Sequence, residues 1–170
     1  IANCVGSSPR EMAAAWVRAD RAAGRDVGFF TPAMDRPGTY ARPLSTAAPA
    51  AMYRGVQEAI WNDADVGQVS ARYHPAISVA TPSGGTAVGH AGVEAFLFSY
   101  LASFPGAKFT VEHLIVREDD GRPARVALRW ALEGFHKGMG RFGTPTGKPI
   151  YIMGINHAEI RDGQVTSEWV

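Results

Sequence analysis

Proton-transfer chemistry needs a titratable side chain and a neighbour that orients it. In this chain the candidates gather late: Arg129, His136, Asn156, His157, Glu159 and Glu168 all stand in or beside otherwise apolar segments. Which of them meet depends on the turn at Arg161-Asp162-Gly163. A two-residue turn at Asp162-Gly163 sets His157 opposite Glu168, with Glu159 on the same face, a carboxylate–imidazole arrangement. A three-residue loop with a glycine bulge sets Asn156 opposite Glu168 instead, with Val170 on their face. Each grouping also has a plain structural reading. His157 with Glu168 would equally serve as a polar contact on an outer sheet face or in a dimer interface. His136 could simply hydrogen-bond the loop behind it. Arg129, beside Trp130, requires a partner if buried, either an anionic substrate or an internal carboxylate such as Glu168 or Glu133. Trp61, Tyr73, Phe96, Tyr100 and Trp169 could line an apolar substrate pocket, or belong to the core.

Other chemistries find no footing in the sequence. The 5 histidines are scattered, with no HxH, HExxH or CxxC pair, so no metal site is expected. The string Gly138-Met139-Gly140-Arg141-Phe142-Gly143 fits GxGxxG, but it follows no βαβ strand and opens no helix, which argues against a dinucleotide. Ser83-Gly84-Gly85-Thr86 lacks the lysine of a phosphate loop, and no GxSxG elbow occurs. No cofactor is expected. With 17 basic and 16 acidic residues in scattered order, the net charge of +1 leaves no footprint for nucleic acid. No apolar run approaches the roughly 20 residues of a membrane helix. Cys4 is the only cysteine, which excludes an intrachain disulfide and fits a reducing, cytoplasmic setting. His74 and His90 fall at element boundaries, where turn or capping roles are expected.

The elements that must position these residues read as helices first and long strands afterwards. Ser8-Pro9-Arg10-Glu11 opens a helix through Trp16 that ends near Gly24, and a Pro-rich arm follows to about residue 48. A second helix begins near Pro49, with Met52, Val56, Ile60 and Trp61 at helical spacing, and breaks at Asn62-Asp63-Ala64-Asp65. A helical turn through Val69 and Tyr73 leads to a strand over Ala76–Ala80, and Thr86 to Gly89 pairs back on it. A third helix from His90 carries Phe96, Leu97, Tyr100 and Phe104. Then come strands over Lys108–Arg117, with Phe109, Val111, His113 and Ile115 on one side, and over Arg125–Phe135, Pro149–Ile160 and Gln164–Val170. Strands joined by turns favour an antiparallel meander, hence an α+β class.

Several strings in this order resemble the SnoaL-like polyketide cyclases of the nuclear transport factor 2-like superfamily. They are Gly89-His90-Ala91-Gly92-Val93, Arg129-Trp130, Gly134-Phe135-His136-Lys137-Gly138, Pro145-Thr146-Gly147-Lys148-Pro149, Met153-Gly154-Ile155, and Asp162-Gly163-Gln164-Val165 leading to Glu168-Trp169. The resemblance spans about residues 50–170. It implies a cone-shaped fold, with a curled sheet closed by helices around a pocket for a small apolar molecule. It also implies partnership as a homodimer or with a second SnoaL-like domain through the outer sheet face. Residues 1–48 look like the connector of a tandem protein, leaving 49–170 as the SnoaL-like domain. Since the chain opens at Ile1 and stops at Val170 within a strand, a longer natural polypeptide is expected. Aldol-type cyclases carry a carboxylate on the last strand where Val170 stands, and valine cannot move a proton. The resemblance therefore leaves two functions open: an acid–base isomerase, cyclase or hydrolase using His136, Asn156, His157 or Glu168, or a non-catalytic ligand-binding or dimerisation domain.

Overall fold

The computed structural model describes residues 44–170, so the helix and arm expected nearer the N-terminus lie outside the described residues. Helix α1, Ala48–Asp63, starts with proline in its first turn and ends where Ala64 turns left-handed at φ 54°. Its apolar stripe includes Tyr53, Val56, Gln57 and Ile60, spaced by three and four residues, and all four are buried. Asn62 fixes the end of the helix to the sheet, since its side chain both accepts from Phe109 N (2.8 Å) and donates to Phe109 O (3.2 Å).

A short α2, Gln68–Arg72, leads into β1, Tyr73–Ala80, so the strand begins three residues before the expected Ala76. Tyr73 is drawn into it because it pairs with Val165 and buries its ring. Then follow β2, Thr86–Val88, and α3, Gly89–Leu101. The long strands are β3, Lys108–Arg117, β4, Ala124–Phe135, β5, Pro149–Arg161, and β6, Gln164–Trp169. They form one open six-stranded sheet in the order β2-β1-β6-β5-β4-β3. Every pairing is antiparallel except β1 with β6. Helix α1 lies over β3 and β4, and α3 lies over β1. No described helix is long and apolar enough to cross a membrane.

Two one-residue bulges change which side chains face the core. In β3 the pairing shifts between Val111 and His113, which leaves Glu112 as the extra residue. Phe109 and Val111 therefore point inward, but beyond the bulge Leu114 and Val116 do. His113 and Ile115 turn away, and Ile115 is 53% exposed. The single-sided alternation expected for this strand is corrected accordingly. In β6 the shift falls between Val165 and Ser167, with Thr166 as the extra residue and its hydroxyl donating to Glu159 O at 3.2 Å. The core itself runs between the helices and the concave face, with Tyr53, Tyr73, Ile77, Leu114 and Leu128 among its most buried side chains.

Candidate functional site

The last hairpin follows neither of the two pairings open from sequence. Its turn is the two-residue Asp162-Gly163, since Arg161 faces Gln164, with both turn residues at positive φ. The bulge at Thr166 then slips the pairing once more, so Ala158 stands opposite Glu168 and His157 opposite Trp169. Asn156, Glu168 and Val170 thus share the concave face, although the turn is not the three-residue loop that would have produced this. The His157–Glu168 pair does not form. His157 and Trp169 lie instead on the outer face, around a shallow groove with Ile115, Ala127 and Glu159.

Glu168 is 4% exposed and is the centre of a buried polar network. Its Oε1 accepts from the Tyr53 hydroxyl, from Asn156 Nδ2 at 2.7 Å and, at a longer 3.4 Å, from Gln57 Nε2. Its Oε2 accepts from the Tyr73 hydroxyl at 2.9 Å. Gln57 Nε2 also donates to the Tyr73 oxygen (3.0 Å), and Asn156 Nδ2 to that of Tyr53 (3.2 Å). Two indoles complete the arrangement. Trp61 Nε1 donates to Gln57 Oε1 at 3.1 Å, and Trp130 Nε1 donates to Asn156 Oδ1 at 2.7 Å. An indole N–H can only donate, so each tryptophan fixes which end of its amide is oxygen and aims the NH₂ at the carboxylate.

Burial pushes the Glu168 carboxyl above its usual range, against the opposing pull of the hydrogen bonds from Tyr53, Tyr73 and Asn156. Burial also raises both tyrosine hydroxyls well above 10, and the charge of Glu168 adds to the effect.

Glu168 forms the floor of a pocket with Tyr73, Gln57 and Asn156, and Trp61, Phe96 and Trp130 are among its walls. Val170 also faces it. The cavity enclosed by these side chains measures ≈ 20 Å³ and opens toward solvent. That holds about one water. Aromatic contacts brace the walls, with Trp61 stacked on Phe109 (6.1 Å, 13°) and on Trp130 (6.3 Å, 20°). Tyr100 stands edge-on to Trp61 at 6.3 Å, behind the pocket wall, and meets Phe142 of the loop after β4 at 5.4 Å. Gly154 lets the Trp130 indole lie flat over β5, since a Cβ there would come within 2.6 Å of the ring.

The remaining candidates are elsewhere. Arg129 is on the outer face and pairs with Glu112 at 2.7 Å, not with Glu168 or Glu133. Glu159 pairs with Arg125 at 3.1 Å on that same face. His136 is buried against Phe104, with Nδ1 3.3 Å from the Thr146 hydroxyl. It stands six residues beyond Trp130, just past the end of β4 and about 20 Å away at the rise of a strand, and has no hydrogen bond to Glu168. His90 contacts Tyr73 O at 2.8 Å, and His74 Nδ1 accepts from Ala76 N at 3.1 Å, both local backbone contacts. Sequence reasoning missed Tyr53 and Gln57. The signal for them was a glutamine in the middle of the apolar stripe of α1, four residues from Tyr53 and four from Trp61.

A curled, open, mostly antiparallel sheet whose concave face carries a buried polar centre under helices defines a nuclear transport factor 2-like pocket protein. More narrowly, the chain belongs to the SnoaL-like polyketide cyclase family, whose model matches residues 51–170. It is similar in structure to AclR of Streptomyces galilaeus, described as a candidate hydroxylase (25% identity, TM-score 0.61, 74% of each chain covered). TsrD of Streptomyces laurentii is similar at 20% identity and TM-score 0.59, over 74% of this chain and 88% of that one. IdmH of Streptomyces antibioticus, described as a candidate polyketide cyclase, aligns at 21% identity and TM-score 0.59, over 72% and 89%. No protein of curated function matches the sequence.

Proposed function

We propose that this domain is a small-molecule enzyme in which Glu168 moves a proton to or from an apolar substrate, as an isomerase, cyclase or hydrolase. The observation that carries this reading is Glu168 itself, a carboxylate buried on the floor of an aromatic-walled pocket with no cation among the lining residues. A buried charge adds little to stability compared with a packed apolar side chain, so its presence in a pocket favours a chemical use. Burial also lifts its pKa toward the range where a carboxyl exchanges protons effectively. Asn156, Tyr53 and Tyr73 hold the carboxylate in place, and Trp61, Phe96 and Trp130 receive the apolar body of the substrate. Glu168 stands two residues before Val170 on the same face, so it supplies the carboxylate that Val170 lacks.

The test compares the wild type with Glu168→Gln on a panel of alicyclic and aromatic hydroxyketones, with products read by mass spectrometry. Isomerisation, or gain or loss of water, with the wild type alone supports the proposal; equal turnover by E168Q overturns it. Val170, which faces the pocket where aldol-type relatives carry a carboxylate, favours a second reading, a non-catalytic ligand-binding domain. Binding without any product in that panel is the result it requires.

We further propose that the outer sheet face is covered by a second SnoaL-like domain, most simply another copy of the chain. Ile115, Tyr151, Met153, Ile155 and Trp169 are each about half exposed there, between 48% and 58%, and apolar surface of this kind marks an interaction site.

A further inference from the structure

The hydrogens of the pocket's polar side chains are all committed. The hydroxyls of Tyr53 and Tyr73 donate to Glu168. The two hydrogens of Asn156 Nδ2 go to Glu168 and Tyr53, and those of Gln57 Nε2 go to Tyr73 and, more weakly, to Glu168. The indole N–H groups of Trp61 and Trp130 are held by the two amide oxygens. The other lining residues, such as Val79, Val93, Phe96 and Val170, have no polar side-chain atom. What remains is acceptor capacity. Glu168 Oε2 has a single partner, Tyr73, whereas Oε1 has three, and a carboxylate oxygen can accept more than one hydrogen bond.

From this we infer that the pocket selects its ligand by a hydrogen that the ligand donates, taking an apolar molecule that carries a hydroxyl or a protonated amine and seating that group on Glu168 Oε2. A carbonyl or ether oxygen placed there meets no free donor and stays unpaired in a buried site, which opposes binding. A carboxylate ligand also meets the like charge of Glu168, with no lining cation to offset it. An ammonium gains further from the opposite charge of the Glu168 carboxylate. This inference rests on the pocket reading above, but it concerns recognition and needs no turnover.

Its test is a matched ligand series of one ring size: cyclohexanol, cyclohexylamine, methoxycyclohexane, cyclohexanone and cyclohexanecarboxylate. Binding is read by tryptophan fluorescence in a W16F/W169F variant, which leaves Trp61 and Trp130 as the reporting indoles. The thermal midpoint of the unmodified chain with each ligand gives a second reading that does not depend on the variant. The alcohol and the amine should bind at least about tenfold tighter than the ether and the ketone, the worth of one hydrogen bond to a charged group. The carboxylate should not bind. The ratio of amine to alcohol then shows which donor the site prefers. Ether or ketone binding as tightly as the alcohol overturns the inference, and so does a failure of all five to bind. The first of these outcomes leaves proton transfer by Glu168 to be decided by the E168Q turnover comparison.

Discussion

Trp130 donates its indole hydrogen to the side-chain oxygen of Asn156 at 2.7 Å, and that bond turns the Asn156 amide so that its NH₂ reaches Glu168 at the same distance. The order of control therefore runs from an aromatic ring to an amide to a carboxylate. Trp61 and Gln57 repeat it from the helical side.

Replacing the donor tests that order. Trp130→Phe keeps an aromatic ring but leaves the Asn156 oxygen buried without its partner, a loss of about 1–3 kcal/mol in unfolding free energy. Urea denaturation checks the stability. A shift of the Glu168 carboxyl band by infrared spectroscopy would show whether the amide has turned.

Removing the acceptor should cost more than removing donors and acceptor together. Glu168→Ala leaves the hydroxyls of Tyr53 and Tyr73 and two amide groups facing an empty site, an expected loss of about 3–5 kcal/mol. Adding Tyr53→Phe and Tyr73→Phe to that variant should recover part of it, because fewer buried donors are then stranded. Recovery below the error of the measurement would mean that the network relaxes or hydrates on its own.

The network also predicts a pH profile. Tyr53 and Tyr73 ionise above their ordinary value of 10 in the folded chain, because burial and then the charge of Glu168 oppose the phenolate. Their contribution to stability is whole below 10 and is lost as pH rises past it, since the unfolded chain releases these protons first. Each should add a slope of about 1.4 kcal/mol per pH unit on the alkaline side, a slope that the Tyr53→Phe/Tyr73→Phe variant lacks. For Glu168, also raised, the stabilising effect of the proton is present below the ordinary 4.5 and fades as pH climbs through the folded value. Denaturation midpoints of wild type and E168Q across the acid range should differ in that window.

Gly154→Ala places a methyl against the indole of Trp130 and should displace the ring. Overpacking of this kind costs about 1–3 kcal/mol. Near-ultraviolet circular dichroism should change with the stability, since Trp130 stacks with Trp61.

If a second domain covers the outer face, light scattering of the purified chain should give twice the mass of the monomer. Met153→Asp with Ile155→Asp should halve it without lowering the thermal midpoint of the monomer, because both side chains are exposed there. A monomeric wild type would instead point to a partner other than another copy.

Much of this architecture was legible in the residues. The strand over Lys108–Arg117 has the bounds its composition suggests, and the helix from Pro49 ends at the Asn-Asp cluster that breaks it. Glu168 and Asn156 were visible as polar residues on apolar strands. Two things were hidden, for separate reasons. A bulge leaves no mark in the alternation of residue types, because strands on either side of it both look regular, so Ile115 read as sharing the face of Phe109 and the last hairpin stayed open between two pairings. Tyr53 reads as an ordinary core aromatic on the stripe of α1. Its role as a donor depends on a carboxylate 115 positions away, a relation that no local pattern contains.

Those bulges have a consequence for anyone altering the chain. Glu112 and Thr166 act as phase slips, so β3 and β6 are each two half-strands of opposite parity. In β6 an odd-numbered position faces inward at Val165 and outward at Trp169. Deleting Thr166 alone would make β6 a regular strand and keep Glu168 inward, opposite Ala158, whereas pairing Thr166 in register would turn Glu168 out and bring Trp169 in, exchanging the site's charge for a ring without a single substitution.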